Sequence, residues 1–174
     1  MKILDFPLLR QMYEYDCGAN VLVSVLAYFG VEVRGGLIIE SANTNAGKGT
    51  DVSNVLKTLK DYGLKFDSKK MTLADVKEYI NRNIPVVILL QAWGKGVVDY
   101  ANDNSNGHWV VAIGYGKHKI FFEDPYSFDR TFLTNEEFIE RWHDEEDGKK
   151  ILRHGIAVYG KKPVYCSGKV VHMD

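Results

Sequence analysis

Helical apolar stripes fill the first half of this sequence and β-branched runs fill the second, which predicts an α+β fold on a mostly antiparallel sheet. Three observations carry the prediction. In 17–29, Ala19, Leu22, Val23, Val25, Leu26 and Phe29 recur at helical spacing. Val21 and Tyr28 widen the stripe, so this helix belongs in the middle of the domain. The runs PVVILLQA (85–92), HWVVAIGY (108–115) and KIFFE (119–123) are β-branched and apolar, hence strands. The short turn GKHK joins the last two as a hairpin. With 174 residues, one domain over 1–174 is expected, and the tail 161–174 carries no clear pattern.

Each element follows from local chemistry. Residues 1–10 read as an extended arm, because Pro7 excludes a helix. Asp16 is the expected N-cap of the central helix, so Cys17 opens it, and Gly30 stops it. Residues 37–42 suit a short helix. The run AGKGT at 46–50 lacks the spacing and the preceding strand of a phosphate loop. Thr50 is expected to cap a helix along Val52, Val55, Leu56, Leu59 and Tyr62, which Gly63 ends. A short strand fits 64–70. Thr72 and Asp75 form a capping box ahead of Val76, Tyr79 and Ile80. Residues 94–107 make a polar loop dense in Gly, Asn and Asp, of a length that usually carries function. A strand is expected within 128–133, and Thr134 with Glu137 caps a last helix through Trp142. The run DEEDGKK at 144–150 reads as a solvated loop, and 151–159 as one final strand.

Composition narrows the function. Apolar content of 45% excludes a disordered chain. The 22 basic and 23 acidic residues give a formal charge of −1, which offers no nucleic-acid footprint. No apolar run is long enough to span a bilayer, and the N-terminus lacks a signal-peptide core. Two cysteines, Cys17 and Cys166, are too few for a disulfide framework, so a reducing, cytoplasmic setting is expected. His118, His143, His154 and His172 show no ligand spacing; neither metal nor cofactor is expected.

The chemistry gathers around Cys17. Unpaired N–H groups and the helix dipole at a helix N-terminus favour thiolate over thiol. Gly18 leaves backbone beside the sulfur uncovered for a substrate carbonyl. His108 opens a strand directly after the long loop, and Asp124 ends the neighbouring one. A hairpin turning at 116–119 brings both to the same open end. A lone cysteine is usually inert packing, and a rim histidine is usually just solvated. The coincidence of Cys, His and carboxylate is instead the nucleophile, base and orienter of a cysteine hydrolase. Gln11 lies one extended segment ahead, placed to donate its amide to an oxyanion together with the Cys17 N–H. Gly18 and Gly107 bring backbone to both sides of the scissile bond. Trp93 and Tyr126, with Tyr13 and Tyr15, suit the walls of a narrow cleft that admits small residues. Trp109 reads as core, since its side chain points opposite to that of His108.

These motifs resemble a known family. Q-x4-D-C-G-A at 11–19, G-H-W-V-V at 107–111, D-P at 124–125 and F-x3-W at 138–142 are similar to the double-glycine (bacteriocin-processing) peptidases. Those are papain-like cysteine peptidases, and the resemblance covers nearly the whole chain. It implies a papain-like fold with Cys17 as nucleophile, His108 as base, Asp124 as orienter and Gln11 as oxyanion donor. Many members form the N-terminal part of a membrane-spanning exporter and cut leader peptides after Gly-Gly. With no membrane segment of its own, this chain is expected to be a free-standing peptidase acting on a peptide or protein substrate. Two alternatives stay open. An acyltransferase on the same fold would use identical residues at the nucleophile. A non-catalytic peptide-binding module would not need all four residues together.

Overall fold

Residues 1–173 are described by a computed structural model, in which patterning and structure agree on most elements. In chain order these are β1 (Lys2–Ile3), α1 (Cys17–Tyr28), α2 (Gly35–Ser41), α3 (Val52–Asp61), β2 (Lys65–Lys70), α4 (Leu73–Asn81) and β3 (Val86–Gln91). There follow β4 (Gly107–Tyr115), β5 (Lys119–Glu123), β6 (Thr131–Thr134), α5 (Asn135–Arg141), β7 (His143–Glu146), β8 (Lys149–Leu152) and β9 (His154–Tyr159). Seven strands form one antiparallel sheet in the order β2-β9-β3-β4-β5-β6, with β1 added against β4. The α+β expectation therefore holds. Among the described residues no helix is long and apolar enough to cross a membrane.

Helix α1 packs against β4 with Leu22, Val25 and Leu26 fully buried. Burial of each such side chain contributes roughly 1.5–3 kcal/mol, so the helix is pinned and Cys17 with it. Gly30 ends the helix in the left-handed region (φ 76°), where Val31 N–H reaches back to the Leu26 carbonyl at 2.9 Å. Strand β3 is buried along its whole length because it lies between β9 and β4. The capping boxes at Thr72–Asp75 and Thr134–Glu137 both form, as their spacing predicts.

The β4–β5 hairpin contains one irregularity that sets up the site. Val111 pairs with Glu123 and Ala112 with Phe122, but Gly114 pairs with Phe121. Ile113 is the extra residue, and its carbonyl accepts the Leu4 N–H at 2.8 Å beside β1. Side chains alternate along a strand, so a one-residue shift exchanges faces. Continued unshifted from the turn, the register would set Asp124 beside Val111, on the face that α1 covers. The bulge sets it beside Val110, on the face His108 shares.

Three local expectations are corrected by tertiary partners. Asp16 occupies the N-cap position of α1 but makes no side-chain cap. Its carboxylate accepts the N–H groups of Met12 (3.2 Å) and Tyr13 (3.0 Å) instead. Thr50 does not cap α3: its hydroxyl bonds Thr44 at 2.7 Å, Asp51 takes the cap position, and Glu146 Oε1 accepts the Val52 N–H at 2.9 Å. Residues 144–150 are not a loop but most of a β7–β8 hairpin, and 151–159 is divided at Arg153. Asp147 and Gly148 both adopt positive φ, as a type I′ turn requires. Opposite charges pair across it at Glu145–Lys150 and Glu146–Lys149. The tail from 161 crosses the end of α1, where Val164 and Tyr165 donate N–H groups to the Tyr28 carbonyl.

Candidate active site

The approach to Cys17 is a tight turn. The Asp16 carboxylate gathers the N–H groups of Met12 and Tyr13, while its carbonyl accepts the Asn20 N–H at 2.9 Å. The turn delivers Cys17 to the first position of α1 with 8% of its surface exposed. Gly18 follows, and here the sequence expectation is corrected. The space beside its Cα is filled rather than open, since a Cβ would lie 2.6 Å from the Thr50 Cβ and 2.9 Å from the Trp109 ring. Trp109 is core, as its alternation predicts, and its indole N–H donates to the Thr50 carbonyl at 3.0 Å.

His108 and Asp124 meet at the open end of β4 and β5. His108 Nε2 lies 2.7 Å from Asp124 Oδ1, and both residues are buried. Cys17, at the first position of α1, lies close enough to the same ring to act on its charge. Nε2 is engaged by Asp124, which leaves Nδ1 for the sulfur. Burial alone would lower the pKa of His108, but the bonds and charges of Asp124 and Cys17 outweigh it and push the ring up to about 9. Burial pulls Asp124 the other way. Hydrogen bonds from His108, the Tyr126 N–H and the Trp93 indole overcome it and hold the carboxyl below its usual value. A histidine that holds its proton beside an ionised carboxylate and a helix-terminal cysteine is equipped for proton transfer to a leaving group.

The remaining sequence candidates fall at different places. Gln11 donates its backbone N–H to the Pro125 carbonyl at 3.0 Å, which ties the arm to the end of β5. Its Nε2 donates to the Tyr13 carbonyl at 2.7 Å, and its buried Oε1 has no partner among the described residues. One amide hydrogen is thereby used and one remains. Gly107 is exposed and lines a cavity of about 240 Å³ beside Cys17, together with Leu89, Trp109, Thr50 and Asp144. A side chain at Gly107 would overlap the Asp144 carboxylate. Trp93 and Tyr126 sit on the far side, around Asp124: the indole donates to Oδ2 at 3.1 Å and the Tyr126 N–H to Oδ1 at 3.0 Å.

Three polar residues escaped the sequence reading. Gln91 is fully buried at the end of β3, where it accepts the Asn106 N–H and donates to the His143 carbonyl and Asp144. It locks the 94–107 loop to β7. Glu123 is fully buried beside Asp124 and accepts the Leu9 N–H at 3.1 Å. Asp144 packs on Gly107. The available signal was a polar residue ending an otherwise apolar strand, as in VVILLQ and KIFFE.

The model of the Peptidase C39 family matches residues 5–145, most of the chain. No curated protein matches it. Among solved structures, a C39-like peptidase from Bacillus anthracis is 19% identical, with TM-score 0.68 over 93% of this chain and 98% of the other. The peptidase domain of Streptococcus ComA, a bifunctional ABC transporter of a quorum-sensing pathway, is 22% identical, with TM-score 0.67 over 88% and 98%. A double-glycine motif protease from an AMS/PCAT transporter, solved with a leader peptide, is 22% identical, with TM-score 0.66 over 91% and 92%. The fold is thus that of C39 papain-like peptidase domains, and the chain belongs to the Peptidase C39 family of cysteine peptidases.

Proposed function

We propose that the chain cleaves extended peptides after a small residue, preferably glycine, through Cys17, His108 and Asp124, with Gln11 as oxyanion donor. The observation that carries this is the 2.7 Å bond from His108 to Asp124, with Cys17 beside the same ring at the N-terminus of α1. The Cys17 thiolate attacks the scissile carbonyl carbon, and the oxyanion that forms is held by the Cys17 N–H and the second Gln11 amide hydrogen. The tetrahedral intermediate collapses to a thioester as His108 gives its proton to the departing amine. His108 then takes a proton from water, which attacks the thioester, and Cys17 is released with the acid product. Asp124 holds the ring in place throughout.

Leader peptides ending in Gly-Gly are the substrate class suggested by the leader-bound transporter protease. The cavity beside Cys17, with Asp144 behind Gly107 and Leu89 and Trp109 in its lining, is where we place the small residue before the cut. One apolar core from Leu4 to Val158 supports a single peptidase domain, and two unpaired cysteines support a reducing, cytoplasmic setting.

Two measurements test the proposal. Limiting iodoacetamide should label Cys17 before Cys166, although Cys17 is buried and Cys166 exposed; labelling of Cys166 first would remove Cys17 from its role. A peptide series varying only the two residues before the cut through Gly, Ala, Val and Leu should show Gly fastest. Equal rates for Val and Gly would rule out the narrow cleft.

A further inference from the structure

Trp93 holds a backbone conformation that its residue type disfavours. It follows β3 with φ 60°, in the left-handed region. Asn43, Asn83, Asp147 and Arg153 share that region; the first three have short polar side chains that tolerate it, Arg153 stands at the break between β8 and β9, and a bulky indole is a true outlier there. Such strain persists where the surroundings impose it, and it gathers at functional sites. Here the chain is held on both sides. Ala92 N–H donates to the Asn106 carbonyl at 3.0 Å, and Gly94 N–H to the Tyr100 hydroxyl at 3.1 Å. Asn106 is itself fixed by the buried Gln91 at 2.9 Å.

What this conformation secures is a bond to Asp124. Trp93 Nε1–H donates to Oδ2 at 3.1 Å, while Oδ1 receives His108 at 2.7 Å and the Tyr126 N–H at 3.0 Å. An indole N–H is a donor only, so the direction of this bond is unambiguous. Among the described residues the one other donor to Oδ2 is the Thr131 hydroxyl, at a longer 3.3 Å. The Trp93 ring also lies over Tyr126, centroids 4.9 Å apart, and Tyr126 stands edge-on to His108 at 6.4 Å.

We propose that Trp93 is a positioning residue for the peptidase reaction: its indole N–H anchors Asp124 Oδ2, which aims Oδ1 at His108 Nε2. The sequence alone suggested a cleft wall instead. A carboxylate bonded through one oxygen is free to turn about its Cβ–Cγ bond; one bonded through both is not. A buried Oδ2 without a good donor also gains proton affinity, and a proton there weakens the hold on the imidazolium. The proposal rests on Asp124 as orienter of His108.

Trp93→Phe tests it, because phenylalanine keeps an aromatic ring beside Tyr126 while it removes the N–H together with the second ring of the indole. The measurements are kcat and KM on a cleaved peptide, and the rate of Cys17 alkylation by iodoacetamide between about pH 5 and 9, the range of the histidine switch. Cys166→Ala serves as background and His108→Ala as reference. We expect kcat to fall about ten- to a hundredfold, the scale of one hydrogen bond to a charged group, with KM unchanged. The midpoint of the alkylation profile should move upward, toward that of His108→Ala. Trp93→Gly, which relieves the left-handed backbone, should show the same upward movement should the phenylalanine variant fold poorly. Unchanged kcat and an unmoved midpoint would overturn the proposal, as would a raised KM at constant kcat, which would make Trp93 a substrate contact. Identical profiles for His108→Ala and the parent protein would remove the triad assignment itself, a failure distinct from that of Trp93.

Discussion

Glu123 and Asp124 stand next to each other at the end of β5, both buried, and their carboxyls move in opposite directions. Glu123 faces α1. Burial pushes it up to about 8; the Leu9 N–H and the Ser24 hydroxyl oppose this weakly, and its Oε2 has no partner among the described residues. Asp124 faces away from α1. Bonds from His108, Tyr126 and Trp93 hold its carboxyl below the usual value. The difference teaches that the number and charge of partners, more than depth, decide the charge of a buried acid. It also divides the work. The Asp124 face bonds the histidine at 2.7 Å, while the Glu123 face ties down the arm that holds Gln11.

The largest expected effect comes from the Asp124 face. Asp124→Asn should lower kcat by about 10³–10⁴ with the fold intact, because an amide favours the wrong tautomer of the ring. A circular dichroism spectrum with steady-state kinetics checks both halves, and near-normal turnover would end the contrast between the two faces. Next comes the arm. Gln11→Ala should reduce kcat by about 10²–10³ if its amide holds the oxyanion; unchanged kcat with chemistry rate-limiting would leave the arm a purely structural tie.

The smallest effect belongs to Glu123 and is read in stability. Its folded pKa lies above its ordinary 4.5, so the folded state binds the extra proton. The stability it contributes is complete below 4.5 and is lost as pH rises through about 8. His108 has the same sign in a higher window, with stability complete below 6.5 and lost as pH rises through about 9. The interval from 4.5 to 6.5 therefore isolates Glu123 from His108. Glu123→Gln should remove the fall in Tm that the parent shows there, and the difference between the two Tm–pH curves cancels the other carboxylates. Parallel curves would show Glu123 to be ionised in the folded protein, like its neighbour.

Local order alone determined much of this protein. The stripe of α1, the capping boxes of α4 and α5, the β4–β5 hairpin and the place of Cys17 at a helix start all follow from contacts within a few residues, which the sequence spells out directly. The positions of His108 and Asp124 at one open end follow from the hairpin as well. Their shared face does not. It depends on the extra residue Ile113, held where the distant Leu4 meets its carbonyl, and without that bulge Asp124 would turn toward α1 beside Glu123. Tertiary contact likewise decided that Glu146 rather than Thr50 caps α3, that Thr50 and Trp109 fill the space at Gly18, and that Trp93 reaches Asp124. The β7–β8 hairpin escaped detection because its strands are paired by charge, with no apolar alternation to announce them. Outside that hairpin the partner lies tens of residues away, and a pattern of neighbours carries no record of which distant group will supply a donor, fill a gap or shift a register by one.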